Sequence, residues 1–194
     1  MSLQNNSSSI PDTLNIISVW VENRFGVLSR VSGLFSARGF NIESLAVGPT
    51  QDPSVSRMTV VVRGDERTIE QVVKQLNKLI DIIKVKNLSH ETHLERELVL
   101  VKLDAKPAVR GELLDLVDIF RARVIDVSPK AMILEMVGAE EKIASLLDLL
   151  APYGIRELVR TGRIAMTRSS ADAGERKPAR TISRVGLGYL DDQE

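Results

Sequence analysis

Residues 22 to 45 read ENRFGVLSRVSGLFSARGFNIESL, and the order polar loop, apolar stripe, glycine, strand within them decides the fold. Glu22-Asn23-Arg24-Phe25-Gly26 is a loop. Val27, Val31, Leu34 and Phe35 then fall at i, i+4, i+7 and i+8, the stripe of an amphipathic helix. Gly39 stands where a helix C-terminus favours a residue that tolerates positive φ, and Phe40-Asn41-Ile42 opens a strand. Gly26 lies at the helix entrance. Unpaired N–H groups and a partial positive charge collect there, and a glycine lets a small anion such as a carboxylate approach them closely.

Working outward, Ile17, Val19 and Val21 alternate with Ser18, Trp20 and Glu22, the period of a half-buried strand running from Thr13 to Val21. After the strand from Phe40 to Val47, residues 48 to 53 (GPTQDP) are turn formers and predict a long hairpin. Met58, Val60 and Val62 alternate with Arg57, Thr59 and Arg63 in a third strand. Asp65 is placed to cap a helix carrying Ile69, Val72, Val73, Leu76 and Leu79, and Ile82 to Leu88 reads as a fourth strand. The sum is β-α-β-β-α-β, the ferredoxin-like α+β arrangement with both helices on one face of an antiparallel sheet.

The same pattern returns. Glu97 to Leu103, Val124 to Val127, Lys130 to Val137 and Ile155 to Thr161 read as strands. Two helical stripes stand between them, Leu113, Leu114, Val117 and Phe120, then Ile143, Leu146, Leu147 and Leu150. Phe35-Ser36-Ala37-Arg38 and Phe120-Arg121-Ala122-Arg123 look like one phrase used twice. The expected organisation is two tandem units, 13–88 and 97–168, joined by a polar linker at 89–96 and followed by a polar tail, 169–194, expected to be disordered. The second unit has Lys106-Pro107-Ala108-Val109-Arg110-Gly111 where the first has its glycine loop, so a shared fold does not carry a shared site.

Composition excludes several classes. With 26 basic and 26 acidic residues the net charge is zero, and no overall field draws the chain to nucleic acid or to an anionic membrane. Of the strands that would face RNA, those from 13 to 21 and 57 to 63 offer only Trp20 as an aromatic platform. No cysteine is present, which removes disulfides and thiolate chemistry and fits a reducing, cytoplasmic setting. No apolar run is long enough to cross a bilayer. His90 and His93 lack further partners for a metal, and no convergent acid, base and nucleophile suggest an enzyme. Taken singly, Asn23 reads as a helix cap, Gly26 as a tight entrance and Asn41 as a strand-edge hydrogen bonder; together they suggest a ligand site.

The stretch from Glu22 to Leu45 resembles the ACT domain, and its wording is similar to the regulatory small subunits of acetohydroxyacid synthase. The likeness continues through Pro49-Thr50, Asp52-Pro53, Ser56 to Val60, Glu70-Gln71 and Lys84-Val85. It resumes at Glu95-Arg96-Glu97 and from Phe120-Arg121 to Ser128-Pro129, so that residues 13 to 168 are covered. The resemblance implies a non-catalytic, dimeric chain that binds a branched-chain amino acid, valine before others, between two ACT domains. Asn23, Gly26, Val27 and Leu28 would come from one chain, and Asn41 and Ile42 from the facing one. The loop carries Asn23 where many ACT domains have an aspartate. The resemblance further implies a large catalytic subunit as partner, and thiamine diphosphate, magnesium and FAD bound there and not here. A freestanding amino-acid sensor is the alternative within the same domain family.

Overall fold

The computed structural model describes residues 13–169. The first unit is β1 (Leu14–Glu22), α1 (Val27–Ala37), β2 (Ile42–Pro49), β3 (Val55–Arg63), α2 (Glu66–Leu76) and β4 (Ile82–Asn87). Its strands lie in the antiparallel order β2-β3-β1-β4, which places β2 at an edge. The second unit repeats this with β5 (His93–Asp104), α3 (Arg110–Phe120), β6 (Arg123–Val127), β7 (Ala131–Gly138), α4 (Glu140–Leu150) and β8 (Ile155–Arg160), in the order β6-β7-β5-β8.

Each helix pair covers one face of its sheet. Val27, Val31 and Phe35 of α1 and Ile69, Val72 and Leu76 of α2 pack on Ile17, Val19, Val21, Met58, Val60 and Val62. The side chains of the second core are Val99, Val101, Leu103, Leu113, Val117, Met132, Leu134, Met136, Ile143, Leu146 and Leu150, together with Ala105. Asp65 caps α2 by accepting the Thr68 N–H at 2.8 Å.

The end of α1 follows from Gly39, whose φ is +68°. Its N–H donates to Ser36 O (3.1 Å) and that of Phe40 to Phe35 O (3.0 Å), the paired bonds of a Schellman motif. The rings of Phe35 and Phe40 meet edge to face at 6.2 Å, the apolar contact that accompanies such a stop. In the second unit the equivalent bonds run from Arg121 N to Asp118 O and from Ala122 N to Val117 O, with Arg121 itself at φ +53°. Val117 therefore answers to Phe35 and Arg121 to Gly39. The two Phe-x-Ala-Arg phrases are out of structural register by three residues, although the supersecondary units do repeat.

Two expectations change. The expected linker at 89–96 is only partly a connection, because β5 begins at His93. The strand expected from Ile155 to Thr161 stops at Arg160, and a ninth strand, β9 (Ile164–Thr167), pairs with His93 to Arg96. This two-stranded extension of the second unit lies against the face of the first sheet that the helices leave bare. Ile16, Val61, Leu88 and Ala165 form a small core there. Arg57 Nη2 donates to Ala165 O at 2.7 Å, and Arg163 N–H to Ser44 Oγ at 3.0 Å. β1 is consequently buried on both faces from Asn15 to Val19, where its alternation predicts one buried face. Residues 170–194, with the expected tail and its Gly186-Leu187-Gly188, lie outside the described residues.

Candidate functional site

The loop between β1 and α1 is built from the chain's ability to turn sharply at Gly26. That residue is the N-cap of α1 at φ +79°, ψ −6°, a left-handed conformation that side chains resist. No side chain caps the helix, and its first turn holds no acidic residue. The amides of Leu28 and Ser29 therefore present their hydrogens with no side-chain acceptor, beside the positive end of the helix dipole.

Asn23 does not cap this helix. Its N–H donates to Ser54 O (2.7 Å) and its Nδ2 to Pro53 O (2.9 Å), tying the loop to the β2–β3 turn. That turn is braced in its own right: Asp52 Oδ1 accepts from the N–H (2.9 Å) and hydroxyl (2.7 Å) of Ser54, which hold the Asp52 carboxyl below the usual carboxylate range. With Nδ2 committed, the Asn23 side chain offers Oδ1 as an acceptor.

Beneath the loop lies a bridge that periodicity and motif reading do not reveal. Arg30 donates through Nε and Nη2 to the two oxygens of Asp81, at 2.6 and 2.8 Å. Asp81 is 8% exposed, and the Arg30 guanidinium lowers its pKa chiefly by hydrogen bonding. Asp81 O also accepts the Glu22 N–H at 2.9 Å, so the bridge fixes both ends of the loop. Arg24 pairs with Glu22 at 3.2 Å. Both local guanidinium groups thus have carboxylate partners, and the positive end of α1 is the charge left for an incoming anion. Phe25, fully exposed, and Leu28, 46% exposed, give this entrance an apolar rim.

Asn23, Gly26, Val27 and Leu28 stand together at this end of the first unit. The side chain of Val27 is buried in the core, which leaves its backbone as the part that faces the loop. Asn41 and Ile42 stand at the other end of the same sheet: Ile42 is level with Val62, whereas Glu22, next to Asn23, is level with Val55. Seven residues of strand separate the two levels, about 23 Å at the usual rise. Asn41 Nδ2 donates to Glu43 Oε1 (2.9 Å), and Ile42 packs on the helix-covered core. One chain therefore does not bring all six residues around one small ligand.

Among the described residues no three His, Cys, Asp or Glu side chains gather as a metal site, and no helix is long and apolar enough to cross a membrane. His93 lies in β5, its Nδ1 2.8 Å from Glu91 O.

An edge-stranded βαββαβ sheet with a glycine-entered, uncapped first helix defines an ACT-domain protein, here with a second unit of the same fold. Residues 17–84 match the model of the AHAS small subunit-like ACT domain, and residues 96–169 that of the small subunit of acetolactate synthase. The probable acetolactate synthase small subunit of Archaeoglobus fulgidus is 54% identical over 154 residues, spanning 79% of this chain and 96% of that protein. The acetolactate synthase small subunit of Mycolicibacterium smegmatis is 46% identical over 161 residues, 83% of this chain and 95% of that one. The crystal structure of the acetolactate synthase small subunit from Thermotoga maritima superimposes with a TM-score of 0.74 at 39% identity, covering 80% of this chain and 98% of that one. The chain belongs to the acetolactate synthase small-subunit family.

Proposed function

We propose that this chain binds a branched-chain amino acid, valine foremost, at the entrance of α1, and thereby sets the activity of a separate catalytic large subunit. The reading rests above all on the uncapped helix start at Gly26, whose free amides and positive dipole suit a carboxylate. Asn23 Oδ1 is placed to accept from the ammonium. Phe25 and Leu28 suit an uncharged aliphatic side chain, and the described charges beside them, Arg24 with Glu22 and Arg30 with Asp81, are already paired.

The site closes in a dimer. Among the described residues no strand pairs with the outer edge of β2, and Val47 of that strand is exposed. Two copies joined edge to edge about a two-fold axis run antiparallel, which carries Asn41 and Ile42 of one toward Gly26 of the other. Catalysis, with thiamine diphosphate, magnesium and FAD, belongs in this proposal to the large subunit, and location is cytoplasmic. Reconstituting the large subunit with and without this chain, over a valine titration, tests the proposal. Stimulation by the chain and a saturable valine response are expected; a large subunit indifferent to the chain refutes it.

A further inference from the structure

The face of the first sheet opposite the helices holds a trough of about 470 Å³ beside β9, within the range of small-molecule sites, about 300 to 1,000 Å³. Its floor is low because Ala46, Gly48 and Thr59 carry small side chains. Leu94, Ile164 and Met166 form the apolar wall.

Two arginines line this trough: the exposed Arg96, whose Nη1 donates to Glu95 O at 2.6 Å, and the half-buried Arg57. Arg57 is the anchored one. It is fixed three ways: Nε donates to Ser18 Oγ (2.7 Å), Nη2 donates to Ala165 O (2.7 Å), and its carbon lies 4.5 Å from the centre of the Trp20 ring. These bonds use two of five donors. Among the described residues no carboxylate pairs with it. Burial lowers its pKa, as expected of a cation lacking a counter-ion. The acidic residue that borders the trough, Glu95, is engaged by Arg163 at 3.8 Å.

We propose that this trough binds a small aliphatic carboxylate without an amine, its carboxylate on the free N–H groups of Arg57 and its chain between β2 and β9. A planar guanidinium with an open edge matches a planar carboxylate, and the apolar wall beside it suits an aliphatic chain. An amino acid fits less well, because its ammonium would meet no uncommitted carboxylate among the described residues. The site is thus separate in place and in selectivity from the entrance of α1.

Octanoate is the probe, titrated into the full chain by calorimetry, with and without saturating valine. Saturable binding is expected, unaltered by valine, with 1-octanol at least about tenfold weaker for want of the charge-assisted hydrogen bond. Arg57→Gln should weaken octanoate about tenfold or more and leave octanol unchanged. Gly48→Leu should abolish both, and it is a fair blocker because a Cβ there meets nothing within 4 Å. No saturable octanoate binding below its micelle-forming concentration, competition by valine, or equal affinity in all three proteins overturns the assignment.

Discussion

Replacing Gly26 by aspartate puts a carboxylate where the effector's own is expected. The backbone there is left-handed at φ +79°, which costs a side-chain-bearing residue about 1 to 2 kcal/mol, less for Asp and Asn than for others. The new Cβ would lie 3.0 Å from Arg30 Nη1, the end of a flexible side chain that can yield. Against this cost, Asp is a better N-cap than Gly by only about a few tenths of a kcal/mol. The net loss is about 1 kcal/mol, small beside the roughly 5 to 15 kcal/mol of an ordinary domain, so Gly26→Asp should fold. Effector binding should not survive, since the helix amides would be occupied and the ligand's carboxylate repelled. Losing a charge-assisted hydrogen bond alone is worth about 1.5 to 3 kcal/mol, tenfold to a hundredfold in affinity. Gly26→Asn is the control, sharing the shape and backbone strain without the charge. Calorimetric titration with valine should therefore rank wild type above Asn and Asn well above Asp, the two variants having similar denaturation midpoints. Equal valine binding by the Asp and Asn variants would refute the carboxylate assignment.

Asn23→Ala and Asn41→Ala homodimers should each respond weakly to valine, while mixed dimers with one of each should recover part of the response through one intact composite site; mixtures no better than their parents would place both residues in one chain's pocket or in none. The Arg30–Asp81 bridge should matter most near neutral pH. Arg30 depresses the folded pKa of Asp81, so its stabilisation is full above the ordinary carboxylate pKa and is lost as pH falls through the depressed one. The urea midpoint of Asp81→Asn should accordingly lie below wild type at pH 7 and converge on it in acid, and a constant gap would discount the charge. Ala165→Asp, burying a carboxylate against Ile16, Val61 and Leu88, should cost about 2 to 4 kcal/mol, seen as a lowered urea midpoint; an unchanged midpoint would mean that β9 does not hold the back of the first sheet.

What could be read from the chain, and what could not, divides along contact range. The stripe of α1, the glycine stop at Gly39 and the Asp65 cap are written within a few residues of the elements they define, and local geometry obeys them. Arg30–Asp81 spans 51 positions, and nothing near either residue announces the other. β9 escaped for a related reason. Four residues after the Thr161-Gly162-Arg163 turn are too few to show a period, and the partner they pair with, His93 to Arg96, reads as polar linker because its outward positions face solvent. The candidate site is legible only in part: Gly26 declares a helix entrance, but that Asn23 serves the β2–β3 turn and not the helix depends on where Pro53 and Ser54 arrive in space.

The alternation in β1 predicts one buried face because Ser18 and Trp20 interrupt the apolar residues, yet Ser18 is fully buried. Its hydroxyl is satisfied by Arg57, and Trp20 lies under both Arg57 and Lys84. A polar position in a strand thus predicts a wet face only when no cation comes to meet it. Here Arg57 does, and its other contact, the Ala165 carbonyl, belongs to the second unit. The same sheet therefore carries the proposed effector entrance at one end of its helix-covered face and the second unit on its back. Ser44 of β2, two residues beyond Ile42, accepts the Arg163 N–H. A displacement of β2 would therefore have to break that bond or carry the Arg163 backbone with it.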